Sequence, residues 1–434
     1  VIELGDIQAN VVRGFGAQRA AYLFVGFEDG PALMGELARR VAAAEFLGEG
    51  PQAILNVALS GAGLSTLGVP EEGFAGELIE GMRSRAPTLG DTGPSDPSQW
   101  DPGFVPPGTH AVLTVSGKED EAFETLLEQT RDLVGDQLLG EQAAGMLRFH
   151  GDYDSREHFG FADGLAQPAI AGVEGGLPGQ GSPVDDGWKD LEPGEFVLGL
   201  PDEEGRPAAG PPGALGRNAS YMVLRKLHQD VAGFRRFLAH ASGTDPEEQR
   251  RLAARVVGRW QDGTPLSLSP DHSDRRLASD RNRLNDFRFG DDPEGLRCPL
   301  GAHVRRTNPR DALGFGPRLS RRHRIIRRGM PYGEPLPPGE SGDDGADRGL
   351  IFVCFCASIE RQYEVVQTQW CNDGDAFGLG REPDLLLGGD GPARMTLPGS
   401  PPRFVRRRRP FVLTRGGEYL YVPSLSGLKQ LAGT

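Results

Sequence analysis

The chain has 434 residues, enough for two domains of ordinary size or for one enlarged fold with long insertions. Its 61 acidic and 47 basic side chains give a net charge of −14, which excludes general attraction to nucleic acid or to an anionic membrane surface and suits a cationic or neutral small partner. Four cysteines, Cys298, Cys354, Cys356 and Cys371, are too few for a disulfide framework and read as reduced or simply buried.

The opening VIELGDIQANVVRGFG lacks a basic stretch ahead of a long apolar one, and no later segment approaches ~18 consecutive apolar residues. The expectation is a cytoplasmic protein without a spanning helix. AAYLFVGF then reads as a strand, short, apolar and rich in aromatic residues, and PALMGELARRVAAAEF as a helix with apolar residues at helical spacing. Residues 86–108, dominated by Gly, Pro and Asp, read as a loop. HAVLTVSG is the next strand, and DEAFETLLEQTRDLVGDQL, acidic at its start, the next helix. A second Gly/Pro/Asp stretch, 174–212, is the candidate boundary between a domain at 1–205 and another at 206–434. Beyond it SYMVLRKL reads as a strand, DVAGFRRFLAHAS and DPEEQRRLAARVVGRW as helices, 333–348 as irregular, and GLIFVCFCASI and GEYLYVPSL as strands. Strand, helix and strand recur in both halves, so the expected fold is α+β, a duplicated unit in which an antiparallel sheet is flanked by helices.

Three segments carry chemistry. His303 stands in RCPLGAHVRRTNPRDALG, where Gly and Ala allow close approach to a flat cofactor and Arg305, Arg306 and Arg310 offer guanidiniums to its anionic groups. Cys298 and His303 do not form the C-x-x-C-H pattern of covalently attached haem, and no ligand set at zinc spacing surrounds His303. Asp163, in HFGFADGLAQPAI, is either a turn residue bonding its own backbone or a carboxylate held by a tight loop to move protons. RRHRIIRRGMPYG is a basic strand end from which one guanidinium could stabilise developing charge; spacing does not decide which. Cys354 and Cys356 share a strand face and read as packing, and the basic run 406–409 as a solvated strand or loop.

Taken in order, GFADG (160–164), AHVRRTNPRD (302–311) and IIRRGMPYG (325–333) resemble the motifs of the dye-decolourising peroxidase family. DIQANVVRGFG, NASYMVLRKLHQDV, VVGRWQDGTPL, LIFVCFCASIERQYEVVQTQW and GGEYLYVPSLSGL extend the likeness over nearly the whole chain, with the best fit to the longer members. The resemblance implies duplicated ferredoxin-like units, the GFADG loop on the first and the haem in the C-terminal half. It implies haem b with His303 as axial ligand, Asp163 as the distal carboxylate, and Arg327 as the distal arginine with Arg324 and Arg328 as alternatives. Arg310 falls on a position implied to contact a propionate. Leu350 and Phe352, on one face of a strand, form either the apolar wall of the distal pocket or plain core. The carboxylate expected to accept from the other nitrogen of His303 is contested by Glu360, Glu364, Asp373 and Asp375.

The implied activity is oxidation of dyes, phenols or other small reductants by hydrogen peroxide in one-electron steps. A bulky dye does not fit beside a buried haem, so Trp188, Trp260, Tyr332, Tyr363 and Trp370 are candidates to relay electrons. The acidic excess also permits manganese(II) as a donor without locating a site for it. Two other readings share the scaffold. A haem carrier or iron-releasing protein needs His303 but not Asp163 and Arg327, and a structural protein needs none of them.

Overall fold

The computed structural model describes residues 2–47, 50–149 and 152–433. Its centre is a nine-stranded antiparallel sheet built from β1 (Arg19–Val25), β2 (Ala53–Leu59), β3 (Ala111–Gly117), β4 (Leu138–Gly145), β5 (Ser220–Gln229), β6 (Ile326–Arg327), β7 (Met330–Tyr332), β8 (Gly349–Cys356) and β9 (Val412–Val422). The spatial order is β4-β1-β3-β2 followed by β9-β5-β8-β6, with β7 also paired to β8. With β6 and β7, which both pair with β8, counted as one interrupted strand, each half has the order fourth, first, third, second of its own strands, the pattern of a ferredoxin-like unit. The halves join where Tyr421 of β9 pairs with Leu59 of β2. At the far edges β7 approaches β4, so the sheet curls towards a barrel.

The strands are long apolar runs because both faces are buried. Alternate residues Ala21, Leu23, Val25, Tyr221, Val223, Cys354, Cys356, Tyr419 and Tyr421 lie under the helices, while Tyr22, Phe24, Met222, Leu224, Val353, Phe355 and Leu420 face the barrel interior. Cys354 and Cys356 are thus packing residues, and all four cysteines are free and buried. The helices include α1 (Gly30–Ala38), α2 (Asp120–Val134), α3 (Val231–Ser242) and α4 (Pro246–Val257). Asp230 and Asp245 cap α3 and α4 by accepting the amides of Gly233 and Glu247, as the acidic starts of those segments predict.

Several expectations change. The helix read over 31–46 ends at Ala38. Beyond it the backbone of residues 42–44 is taken up by the N-terminal segment, with Ala9 N–H donating to Ala42 and Ala44 N–H to Ile7. Strands β2 and β4 are additions: AILNVAL is a buried apolar run that the composition carried openly, whereas LLGEQAAG is a half-exposed edge with no alternation to read. The stretch 86–108 is not all loop, since a helix spans Met82–Leu89 with Pro87 inside it. Within 174–212, Leu191, Phe196 and Val197 are fully buried, so a Gly/Pro-rich stretch is packed into the barrel core. Among the described residues no helix is long and apolar enough to cross a membrane.

Candidate active site

The outer face of the C-terminal half-sheet carries a cavity of about 320 Å3. His303, Asp163, Arg327, Arg310, Leu350 and Phe352 all line it, so residues from position 163 to position 352 of the chain meet in one place. β8 supplies the apolar wall through Leu350 and Phe352, both half-buried and on the strand face opposite the barrel.

His303 begins a five-residue helix, α5 (His303–Thr307), entered through a turn in which Ala302 N–H donates to Pro299. Its Nδ1 lies 2.9 Å from Oδ2 of Asp384. Asp384 is fully buried, and its Oδ1 accepts the amides of Leu386 and Leu387 at 2.8 and 3.0 Å. Burial alone would raise this carboxyl. The charge and hydrogen bond of His303, the Leu387 amide and Arg306 outweigh burial and hold it down at about 2. Carboxylate on one imidazole nitrogen fixes the ring's orientation and leaves Nε2, which has no partner among the described residues, for a ligand. None of Glu360, Glu364, Asp373 and Asp375 takes this place; the partner is Asp384, 81 positions beyond the histidine.

Opposite chemistry comes from the GFADG loop and the edge strand. Asp163 Oδ1 accepts the Gly164 amide at 2.6 Å and faces Arg327 Nη1 at 3.3 Å, so the turn role and the functional geometry coexist in one side chain. Gly164 sits at φ +73°, the left-handed region in which glycine follows without strain. Both side chains remain more than a third exposed, at 37% and 39%, which leaves them accessible to a small molecule entering the cavity. Arg327 is placed by β6 pairing with Cys354 and by its amide donating to Gln167 Oε1 at 3.0 Å. The chain then turns through Gly329, where a Cβ would meet the Ile351 carbonyl at 2.6 Å.

Of the two alternatives, Arg324 lines the cavity but donates to the Gln180 carbonyl at 3.1 Å, and Arg328 points the other way, donating to the Asn10 carbonyl at 2.9 Å. Only Arg327 of the three meets Asp163. Glu157, absent from the sequence reading, secures the loop: its carboxylate accepts the Phe159 and Phe161 amides, both at 2.9 Å, and Gln229 Nε2 at 2.7 Å.

The arginines near His303 divide by environment. Arg305 is turned into the protein, bonded to Asp292 Oδ2 at 3.1 Å and to the Cys298 carbonyl at 2.8 Å, and Arg306 donates to the carbonyls of Trp370 and Glu382. Neither lines the cavity, so both brace the loop rather than face a ligand. Arg310 does line it, as do Arg259 and Arg324. Arg310 donates to the carbonyls of Asn285 and Phe287 at 2.9 and 2.7 Å and stacks 3.9 Å from the Phe287 ring centre. Burial pushes Arg259 and Arg324 down to about 10 and Arg310 well below its usual value.

These three buried cations have no carboxylate partner among the described residues, whereas Arg225 in the same wall has Asp91. Uncompensated buried charge is destabilising by several kcal/mol, so the cavity is built to receive an anionic group. A flat, largely apolar cofactor with acidic substituents, ligated by an imidazole, fits this lining: apolar wall, free Nε2 and guanidiniums in excess.

Comparison with known proteins agrees. Residues 37–151 match the DyP dimeric alpha+beta barrel domain, and residues 212–377 match the C-terminal domain of Dyp-type peroxidases. A dye-decolorizing peroxidase of Mycena epipterygia is 32% identical, covering 99% of this chain and 87% of that protein. A multifunctional dye peroxidase of Amycolatopsis sp. is 30% identical, with 99% and 96% covered. The solved structure of an ancestral D-type dye decolorizing peroxidase superposes with a TM-score of 0.87 at 29% identity over 99% of both chains. Fold and relatives together define an enzyme, a peroxidase that consumes hydrogen peroxide and a reductant. The chain belongs to the dye-decolourising peroxidase family, whose members are haem-dependent.

The five aromatic relay candidates separate by exposure. Trp260, Tyr332, Tyr363 and Trp370 are buried, and Trp188 is partly exposed, with Arg310 lying 5.2 Å from its ring centre. Among the described residues no group of three or more His, Cys, Asp and Glu side chains is gathered to hold a metal ion, so the manganese(II) expectation acquires no location.

Proposed function

We propose that this peroxidase binds haem b in the 320 Å3 cavity, with His303 Nε2 as the axial ligand and Asp163 and Arg327 acting on hydrogen peroxide. The observation that carries the reading is that His303, held by Asp384, and the Asp163–Arg327 pair line one cavity in which three further guanidiniums, Arg259, Arg310 and Arg324, have no acid partner among the described residues. When bound, haem supplies the iron that takes oxidising equivalents from peroxide and releases them to donors one electron at a time.

The protein's part is proton and charge management. Asp163 takes a proton from one peroxide oxygen and gives it to the other, which then leaves as water. Arg327 lowers the energy of the charge that develops as the O–O bond polarises. Asp384, ionised at any pH above about 2, keeps the Nδ1 proton of His303 hydrogen-bonded and makes the ring a stronger donor through Nε2. Arg310, with Arg259 and Arg324, neutralises the propionates. Leu350 and Phe352 keep the peroxide side apolar and narrow, which directs bulky dyes to the surface, where Trp188 beside Arg310 is the relay residue. Phenols and dyes are the donors, and manganese(II) is the inorganic one to assay beside them.

A haem carrier would need no proton shuttle, and the Asp163–Arg327 contact argues for turnover. The test is transient kinetics on Arg327→Leu. Haem content should be unchanged while the reaction with peroxide slows by about 10²–10³. An unchanged rate would remove Arg327 from the mechanism, and wild-type protein with a Soret band but no peroxide-dependent dye oxidation would establish the carrier instead.

A further inference from the structure

Behind Arg327 the barrel interior opens into a second chamber, of about 560 Å3. Its volume falls within the range of small-molecule sites, about 300–1,000 Å3. Arg327 lines both spaces and so stands in the wall between them. On the barrel side Tyr22, Met222, Val353 and Phe355 supply an apolar floor from β1, β5 and β8.

The charge of this chamber runs against that of the molecule. In a chain of net charge −14 it is lined by Arg13, Arg281, Arg327 and Arg328, with Glu174 the one carboxylate among the described lining residues. Arg13 and Arg281 form no ion pair among the described residues, and Arg328 donates only to the carbonyls of Asn10, Val11 and Arg327.

We propose that the chamber is a binding site for a small aromatic carboxylate. The ring lies on the apolar floor and the carboxylate meets Arg13, Arg281 and Arg328. Guanidinium and carboxylate match in geometry, and their charge-assisted bonds are the strong ones. The site stands apart from the haem cavity, so it goes beyond the peroxidase reading and does not depend on the assignment of His303.

Calorimetric titration of the haem-loaded enzyme with 4-hydroxybenzoate and with the uncharged 4-hydroxybenzamide tests it, with the Soret band followed in parallel. The carboxylate should bind at least about tenfold more tightly than the amide, without shifting the Soret band. Arg281→Ala, at an exposed position, and Arg13→Ala should each weaken binding by about tenfold. Ala17→Trp, which fills the chamber, should abolish it; should that variant fail to fold, the two arginine variants decide. Absence of binding, equal affinity for the amide, or unchanged affinity in both arginine variants overturns the proposal. So does a Soret shift that tracks occupancy, because it would put the ligand in the haem cavity. A protein that failed to load haem would leave the chamber's titration readable in the haem-free form and would count against the axial assignment alone.

Discussion

Replacing Asp384 by Asn removes one charge from a fully buried position while keeping an oxygen for the amides of Leu386 and Leu387. Burial raises this carboxyl, and the charge and hydrogen bond of His303, with the Leu387 amide and Arg306, outweigh burial and hold it at about 2, below the ordinary carboxylate range. Its folded value is depressed, so the ionised form contributes stability above the unfolded value and loses it as pH falls through the folded one. A displacement of that size corresponds to about 2 kcal/mol at neutral pH. Urea unfolding of the haem-free protein should therefore show Asp384→Asn weaker by about 2 kcal/mol at pH 7, with the difference shrinking between pH 3.8 and about 2. In the haem-loaded variant the reduction potential should rise, because the imidazole loses its anionic acceptor. Equal stability of the two proteins at pH 7, or a difference that does not narrow in acid, would refute the electrostatic account of this pair.

Further perturbations address the rest of the cavity. Asp163→Asn should retain haem and lower the rate with peroxide by about 10²–10⁴, measured by stopped flow, since the amide cannot carry the proton. Arg310→Gln should weaken haem retention by about tenfold or more, read from haem transfer to a competing apoprotein, because a charge-assisted partner for a propionate is lost. Trp188→Phe should lower turnover of a bulky anthraquinone dye while leaving a small phenol unaffected; equal losses on both would take Trp188 out of the relay.

The parts of this fold that follow local rules were legible in the chain. Strands such as Ser220–Gln229 and Gly349–Cys356 are buried on both faces and read as continuous apolar runs, and the capping aspartates Asp230 and Asp245 announce their helices. Edge strand Leu138–Gly145 was not legible, because half-exposed Gly, Glu and Gln carry no period-two signal. The same division holds for the site. His303, Asp163 and Arg327 sit in compact motifs of their own, and the structure brings all three to one cavity. Asp384, Glu157 and Arg259 act through contacts across 81, 72 and 26 positions, respectively, in segments where nothing local distinguishes them from ordinary acids and bases. Arg305 and Arg306 show the converse, since proximity to His303 in sequence suggested a ligand role and their guanidiniums instead bind Asp292 and backbone carbonyls. Sequence neighbours on a short helix point in different directions, and only the fold says which of them faces the cavity.

The claim on which the rest depends is that a single haem is held between His303 on one side and Asp163 with Arg327 on the other. A crystal structure of the haem-loaded enzyme, solved beside the spectrum of His303→Ala, tests it most directly. The account predicts iron bonded to His303 Nε2, Asp163 and Arg327 over the opposite face, and loss of stable haem in the variant. Iron bonded to another protein atom, or full haem content in His303→Ala, would contradict it.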